Sequence, residues 1–183
     1  PEDSVLVIGC GTAGLLHVQL ALVLGASRVI ATDIVDYRLR AARQFGAEVV
    51  FLADEALPDS LRQVNQGRLA DLVIVTAGAK SAIIQALESV ERGGTVLLFA
   101  PTDPGVTVPV SMNELFFRND ITLTTSYAGS PSDYQAALEL IQSGKIPVRH
   151  MITHRLSLAE VGLGFQLVAE AKSSIKVIIE PQR

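Results

Sequence analysis

The sequence predicts a doubly wound α/β domain: a parallel sheet in strand order 3-2-1-4-5-6, with helices on both faces and a short C-terminal appendage. Three observations predict it. Short apolar runs alternate with helical segments through most of the chain. All but one of the first six runs are continuous rather than alternating, the pattern of strands covered on both faces. Strand-helix-strand alternation in turn specifies right-handed parallel crossovers.

Taken in order, residues 5–8 (Val-Leu-Val-Ile) open the sheet, and residues 13–24 form a helix that is apolar nearly all round and stops at Gly25. Residues 28–32 are the second strand. The second helix puts Val35, Leu39, Ala42 and Phe45 on one face, turns Arg38, Arg40 and Arg43 outward, and ends at Gly46. Strands follow at 48–51, 72–75 and 96–99, separated by a weak helix at 60–66 and a stronger one at 81–90 before Gly93-Gly94. Residues 121–124 alternate, which suits an edge strand with one wetter face. Ser130-Pro131-Ser132-Asp133 reads as a capping box with Pro at the first helical position, and the helix runs to Gly144. A break near Ile146-Pro147 divides the chain into residues 1–145, the doubly wound domain, and 146–183. The latter holds strands at 151–156 and 175–179 around a helix opened by the capping box Ser157-Leu158-Ala159-Glu160.

Composition narrows the function. The chain has 183 residues, 49% hydrophobic and 19% charged, against a usual charged share of about 25%, so disorder is excluded. A net charge of −4 with no basic cluster argues against nucleic acid. The longest apolar stretch, residues 15–26, is interrupted by His17, Gln19 and Gly25 and falls short of the roughly 20 residues a membrane span requires. Cys10, the one cysteine, excludes an internal disulfide and fits a reducing cytoplasm. The chain starts at Pro1 and enters a strand by Val5, which leaves no room for a signal peptide and suggests a piece of a longer protein.

Gly9-Cys10-Gly11-Thr12-Ala13-Gly14 spells GxGxxG between a strand and a helix, and Asp33 follows Gly14 by nineteen residues at the end of the second strand. Gly9 permits a tight turn, Gly11 lets a pyrophosphate approach the backbone, and Gly14 lets the helix lie close on the sheet. The N–H groups of Thr12 and Ala13, at the positive helix end, bind phosphate oxygens, and Asp33 accepts from the adenosine ribose hydroxyls. Its carboxylate repels a 2′-phosphate, so NAD is preferred to NADP. Arg38 can lie over the adenine or neutralise such a phosphate. In a doubly wound sheet the ligand sits at the carboxyl ends of the strands. Thr76-Ala77-Gly78 and Phe99-Ala100-Pro101 therefore lie beside the nicotinamide half. No catalytic residue or metal ligand is assigned. A Tyr-x-x-x-Lys proton relay is absent, since Ala41, Pro131 and Leu138 stand four residues after Tyr37, Tyr127 and Tyr134. His17 reads as a core or interface histidine, and His150 and His154 lack a third ligand at metal spacing.

The run Val7 to Leu16 around that loop, Gly25-Ala26, Asp33, Arg38, Ala41, Gly46-Ala47, Gly93-Gly94-Thr95-Val96 and Ser174-Ile175-Lys176-Val177-Ile178-Ile179 resemble the cofactor domain of zinc-type medium-chain alcohol and polyol dehydrogenases, of the sorbitol and threonine dehydrogenase kind. The resemblance spans essentially the whole chain. It implies hydride transfer between an alcohol carbon and NAD, and a homodimer or homotetramer, with an edge at residues 121–125 or 106–108 extended across the dimer. It also implies a catalytic zinc whose ligands sit in a domain absent from this chain, to which residues 146–183 return. Lys176 falls where that family places a basic residue on the cofactor phosphates. Two other readings share the loop and the acid: a non-enzymatic dinucleotide sensor of the kind that gates ion transporters, and a methyltransferase, whose adenosyl ligand lacks a pyrophosphate. The Ile-Lys-Val tail favours the dehydrogenase.

Overall fold

Val5 to Ile8 are apolar without interruption, and the strand they build, β1 (Ser4–Ile8), is buried along its whole length. A strand with no polar side can be stable only between two covered faces. The computed structural model, which describes residues 3–54 and 56–182, puts β1 at the centre of a six-stranded sheet. The order is β3-β2-β1-β4-β5-β6, with β2 at Arg28–Asp33, β3 at Val49–Leu52, β4 at Ala70–Val75, β5 at Val90–Leu98 and β6 at Thr122–Thr125. Every neighbouring pair is parallel. This is the Rossmann arrangement anticipated from the alternation of apolar runs and helices.

Alternation along the strands separates two cores. On one face Leu6, Ile8, Ile30, Val73, Val75 and Val96 meet Leu57 and Leu61 of α3 (Leu57–Val64) and Ala82, Ile83 and Ala86 of α4 (Lys80–Ser89). On the other, Val5, Val7, Val29 and Ala31 are buried, and α1 (Thr12–Val23) packs on β1, β2 and β4, with α2 (Asp36–Gln44) on β2 and β3.

Three elements differ from the sequence reading. Strand β5 starts at Val90 and runs through Gly93-Gly94 rather than after them. A Cβ on Gly94 would stand 2.8 Å from the Asp71 carbonyl and 2.7 Å from that of Glu91, so a residue without a side chain lets the strand pass there. Helix α3 begins at Leu57 with Pro58 in its first turn, ahead of the expected start at residue 60. Residues Asn113–Arg118 form a π-turn before β6 for which no motif gave warning. Strand β6 takes the edge position, and all four of its residues are exposed.

At the amino end of the sheet β1 is pinned to β4. The backbone N–H and hydroxyl of Ser4 donate to Asp71 Oδ2 at 2.9 and 2.8 Å, Arg68 donates to Oδ1 at 2.6 Å, and Asn65 donates to Ser4 Oγ at 3.1 Å. Partial burial pushes the Asp71 carboxyl up, but the Ser4 bonds and the Arg68 charge outweigh it, so its pKa lies below the ordinary aspartate value. A pKa depressed by folding contributes stability that is present above the unfolded value, about 3.9, and is lost as pH falls through the folded one. Ser4→Ala is expected to lower stability at neutral pH by about 1 kcal/mol and to flatten that acid loss. Thermal melts from pH 7 to pH 2 check this, and parallel curves for parent and variant would refute it.

The chain divides into two compact units, one up to Ala128 and one from Gly129 onward. In the second, Ser130 and Asp133 form the anticipated capping box at the start of α5 (Pro131–Gln142). Strands β7 (Ile152–Ser157) and β8 (Lys176–Glu180) pair in parallel, joined through α6 (Val161–Glu170). Gly164 of α6 faces Leu156, Val177 and Ile179, whereas Leu163, Phe165 and Val168 are exposed. The second capping box, Ser157 with Glu160, opens a short 3-10 turn ahead of α6. No helix among the described residues is long and apolar enough to cross a membrane.

Candidate functional site

In a parallel sheet every strand ends at the same edge, so the turns after β1, β2 and β4 gather at one place. There they border a cleft of about 550 Å³ lined by Gly9, Gly11, Thr12, Ala13, Asp33, Arg38, Thr76 and Ala77 among others. Eight of the residues singled out from the sequence thus share one cavity.

Each motif glycine has a distinct cause. Gly9 has φ +95°, in the left-handed region, and a Cβ on it would come within 2.8 Å of Thr76 Oγ1. Gly14 underlies the cleft rather than lining it: a Cβ there would stand 1.8 Å from the Gly9 carbonyl oxygen, which is what brings α1 down onto β1. Gly11 is different. Its φ of −70° suits any residue, and a Cβ on it would meet no atom within 4 Å beyond its own chain neighbours. Nothing in the protein's own packing calls for glycine there, and the space in front of it opens into the cleft. Gly11 is also the N-cap of α1, which has no side-chain cap and no acidic residue in its first turn. The positive end of α1 thus opens on the cleft with no acidic residue in its own first turn.

Asp33 ends β2 with its carboxylate buried. Oδ2 accepts from the Cys10 N–H at 2.6 Å and Oδ1 from the Val35 N–H at 2.8 Å, so the loop and the β2 turn hold it from both sides. Each oxygen retains a further lone pair for a hydroxyl donor. Arg38 is not turned outward as the helical period suggested. Its Nη1 lies 3.9 Å from Asp33 Oδ2, and its Nε is buried without a partner among the described residues. Cys10 is fully buried behind the loop. Burial first, then the Asp33 charge, pushes its thiol up to about 12 against the opposing pull of Arg38, so it stays protonated and is no nucleophile.

The remaining candidates lie elsewhere. A Cβ on Gly78 would meet the Pro101 carbonyl oxygen at 2.4 Å, so the turns after β4 and β5 touch, but Gly78, Phe99, Ala100 and Pro101 do not line the cleft. Phe99 packs edge-on against His17 at 4.6 Å. Burial lowers the His17 pKa, partly offset by its hydrogen bond to the Ala13 carbonyl. Lys176 is exposed on β8 in the second unit, opposite Ile152. Residues that the sequence reading did not single out complete the cleft: Ile34, Asp54, Ser81 and Gln85. Gln85 donates to the Asp54 carbonyl at 2.7 Å and links α4 to the turn after β3. Only the place of β3 beside β2 in the strand order pointed to that side. No group of three or more His, Cys, Asp or Glu able to hold a metal ion occurs among the described residues. The zinc of the resembled family has no ligand set among the described residues.

Comparison with known proteins bears on the same residues. The family profile of zinc-binding dehydrogenases matches residues 13–143. The chain is 31% identical over 179 residues to L-threonine 3-dehydrogenase of Bacillus velezensis, covering 97% of this chain and 51% of that protein. It is 30% identical over 181 residues to erythritol/L-threitol dehydrogenase of Mycolicibacterium smegmatis, covering 98% and 49%. An alcohol dehydrogenase from Thermus sp. ATN1 superposes with a TM-score of 0.85 at 30% identity, over 97% of this chain and 50% of that one. One from Thermotoga maritima gives a TM-score of 0.88 at 25% identity, over 97% and 49%. The chain spans about half the length of the curated relatives it matches. A match through most of the sheet and into α5, together with the glycine loop it overlaps, shows that this chain belongs to the zinc-binding dehydrogenase family.

Proposed function

We propose that the chain is the NAD-holding part of a zinc-type oxidoreductase that moves hydride between an alcohol or polyol carbon and nicotinamide. In this reading residues 1–145 hold the cofactor, and residues 146–183 belong with a zinc-bearing part outside the described residues. The observation that carries it is Gly11, a glycine that neither its backbone angles nor its neighbours require, at the uncapped positive end of α1. Such a residue leaves a backbone-lined cradle for a phosphate. Asp33 holds the adenosine ribose through its remaining lone pairs, and Ile34, exposed beside it, offers an apolar face to the base. When bound, the nicotinamide supplies the hydride acceptor or donor.

Calorimetric titration of the 183-residue chain tests this. NAD is expected to bind one to one, and NADP at least about tenfold more weakly, because a 2′-phosphate would approach the Asp33 carboxylate. Asp33→Ala is expected to narrow that ratio. Equal or tighter binding of NADP by the parent would overturn the role of Asp33, and no binding of either would overturn the reading of the cleft.

A further inference from the structure

Strand β4 lies beside β1 with Ile74 opposite Val7 and Val75 opposite Ile8, so the next residue, Thr76, arrives level with Gly9. Its N–H donates to the Ile8 carbonyl at 2.9 Å, continuing the ladder by one step. Its hydroxyl lies 2.8 Å from the Gly9 carbonyl oxygen and 3.2 Å from that of Ile8. With one proton to give, the shorter contact identifies Gly9 as the acceptor. From the opposite side, β2 holds the same turn: Gly9 N–H donates to the Thr32 carbonyl at 2.8 Å and Cys10 N–H to Asp33 Oδ2 at 2.6 Å. The Gly9 carbonyl is also the atom on which α1 rests, since a Cβ on Gly14 would stand 1.8 Å from it and 3.0 Å from Thr76 Oγ1. One carbonyl thus joins β4, the glycine loop and the first turn of α1. It belongs to a glycine at positive φ, the residue whose peptide is freest to rotate when nothing holds it.

We propose that Thr76 is a positioning residue. Its hydroxyl fixes the Gly9 peptide, and through it the Gly11 to Ala13 backbone that faces the phosphates, without itself touching the nicotinamide. The missing Cβ of Gly9 is part of the same device, because a Cβ there would press on the Thr76 hydroxyl at 2.8 Å. This inference rests on the dinucleotide reading of the cleft for its functional consequence, but not for its geometry.

The test uses Thr76→Val, which keeps the shape and removes the donor, and Thr76→Ser, which keeps the donor. Each is titrated with NAD, ADP and adenosine, and amide exchange is followed at Gly9 and Cys10 without ligand. Thr76→Val is expected to weaken NAD and ADP alike, by about tenfold, to change adenosine less than about twofold, and to speed exchange at both amides; Thr76→Ser restores all of these. Loss of NAD affinity with ADP unchanged would place Thr76 against the nicotinamide half and overturn the proposal. Equal weakening of all three ligands would overturn it in favour of general loosening, as would failure of Thr76→Ser to restore binding. Exchange is read on the free chain, so it separates the two readings. Faster exchange in a protein that binds no dinucleotide supports the latch and sinks the cofactor reading, whereas unchanged exchange sinks the latch.

Discussion

Gly14→Ala is expected to lower the melting temperature of the chain by roughly 6–12 °C, corresponding to about 3 kcal/mol for a protein of this size. The added methyl would sit 1.8 Å from the Gly9 carbonyl oxygen and 2.8 Å from its carbonyl carbon. Both are backbone atoms, held by β2 on one side and β4 on the other, so neither can yield as a flexible side chain would. Relief therefore requires α1 to lift from β1 by more than 1 Å, on the order of the overlap, which uncovers Leu15 and Val18, both fully buried at present. Far-UV circular dichroism melts of parent and variant decide it. A melting temperature within about 2 °C of the parent would mean that α1 does not rest on the Gly9 carbonyl.

Gly11→Ala is expected to do the opposite: stability within about 1 kcal/mol of the parent, and dinucleotide affinity reduced by about a hundredfold or more. The backbone at Gly11, φ −70° and ψ −170°, is open to alanine, and beyond its chain neighbours no atom lies within 4 Å of the new methyl. In the proposed reading the methyl enters the space where a phosphate meets the start of α1. Charge-assisted hydrogen bonds contribute about 1.5–3 kcal/mol each, so losing two at the low end already exceeds a hundredfold. Calorimetry with NAD beside a thermal melt reads both quantities, and unchanged affinity would overturn the placement of the pyrophosphate at Gly11.

These two glycines stand three residues apart in one motif, yet the fold itself requires only one of them to be glycine. The motif names both, and what each missing Cβ would meet separates them only in the folded chain. The same holds for Asp33. Its place at the end of β2 follows from the length of the apolar run Val29 to Ala31, but its bonds to Cys10 and Val35 exist only because β1 and β2 lie side by side.

The succession of strands and helices, their parallel order and the glycine loop with its acid were all legible in the sequence, because each follows from periodicity or chain connection within some thirty residues. Apolar runs such as Val5 to Ile8 must be covered on both faces, and a helix between two of them must cross over with one hand. What the tertiary structure alone decided involves residues far apart in the chain. Helical period sent Arg38 outward, whereas the neighbouring Asp33 carboxylate draws it in. The pattern starts a strand only after Gly93-Gly94, whereas β5 runs through the pair, and the Asp71 carbonyl of the adjacent strand leaves no room for a side chain at Gly94. Asp54 and Gln85 carry no motif, and they meet at the cleft because β3 lies beside β2 and α4 packs beside α3 on the same face of the sheet. Local pattern is set by each residue's own preference for water or for the core. The company that a side chain keeps is set by which strands the sheet brings together, and no window of sequence contains that information.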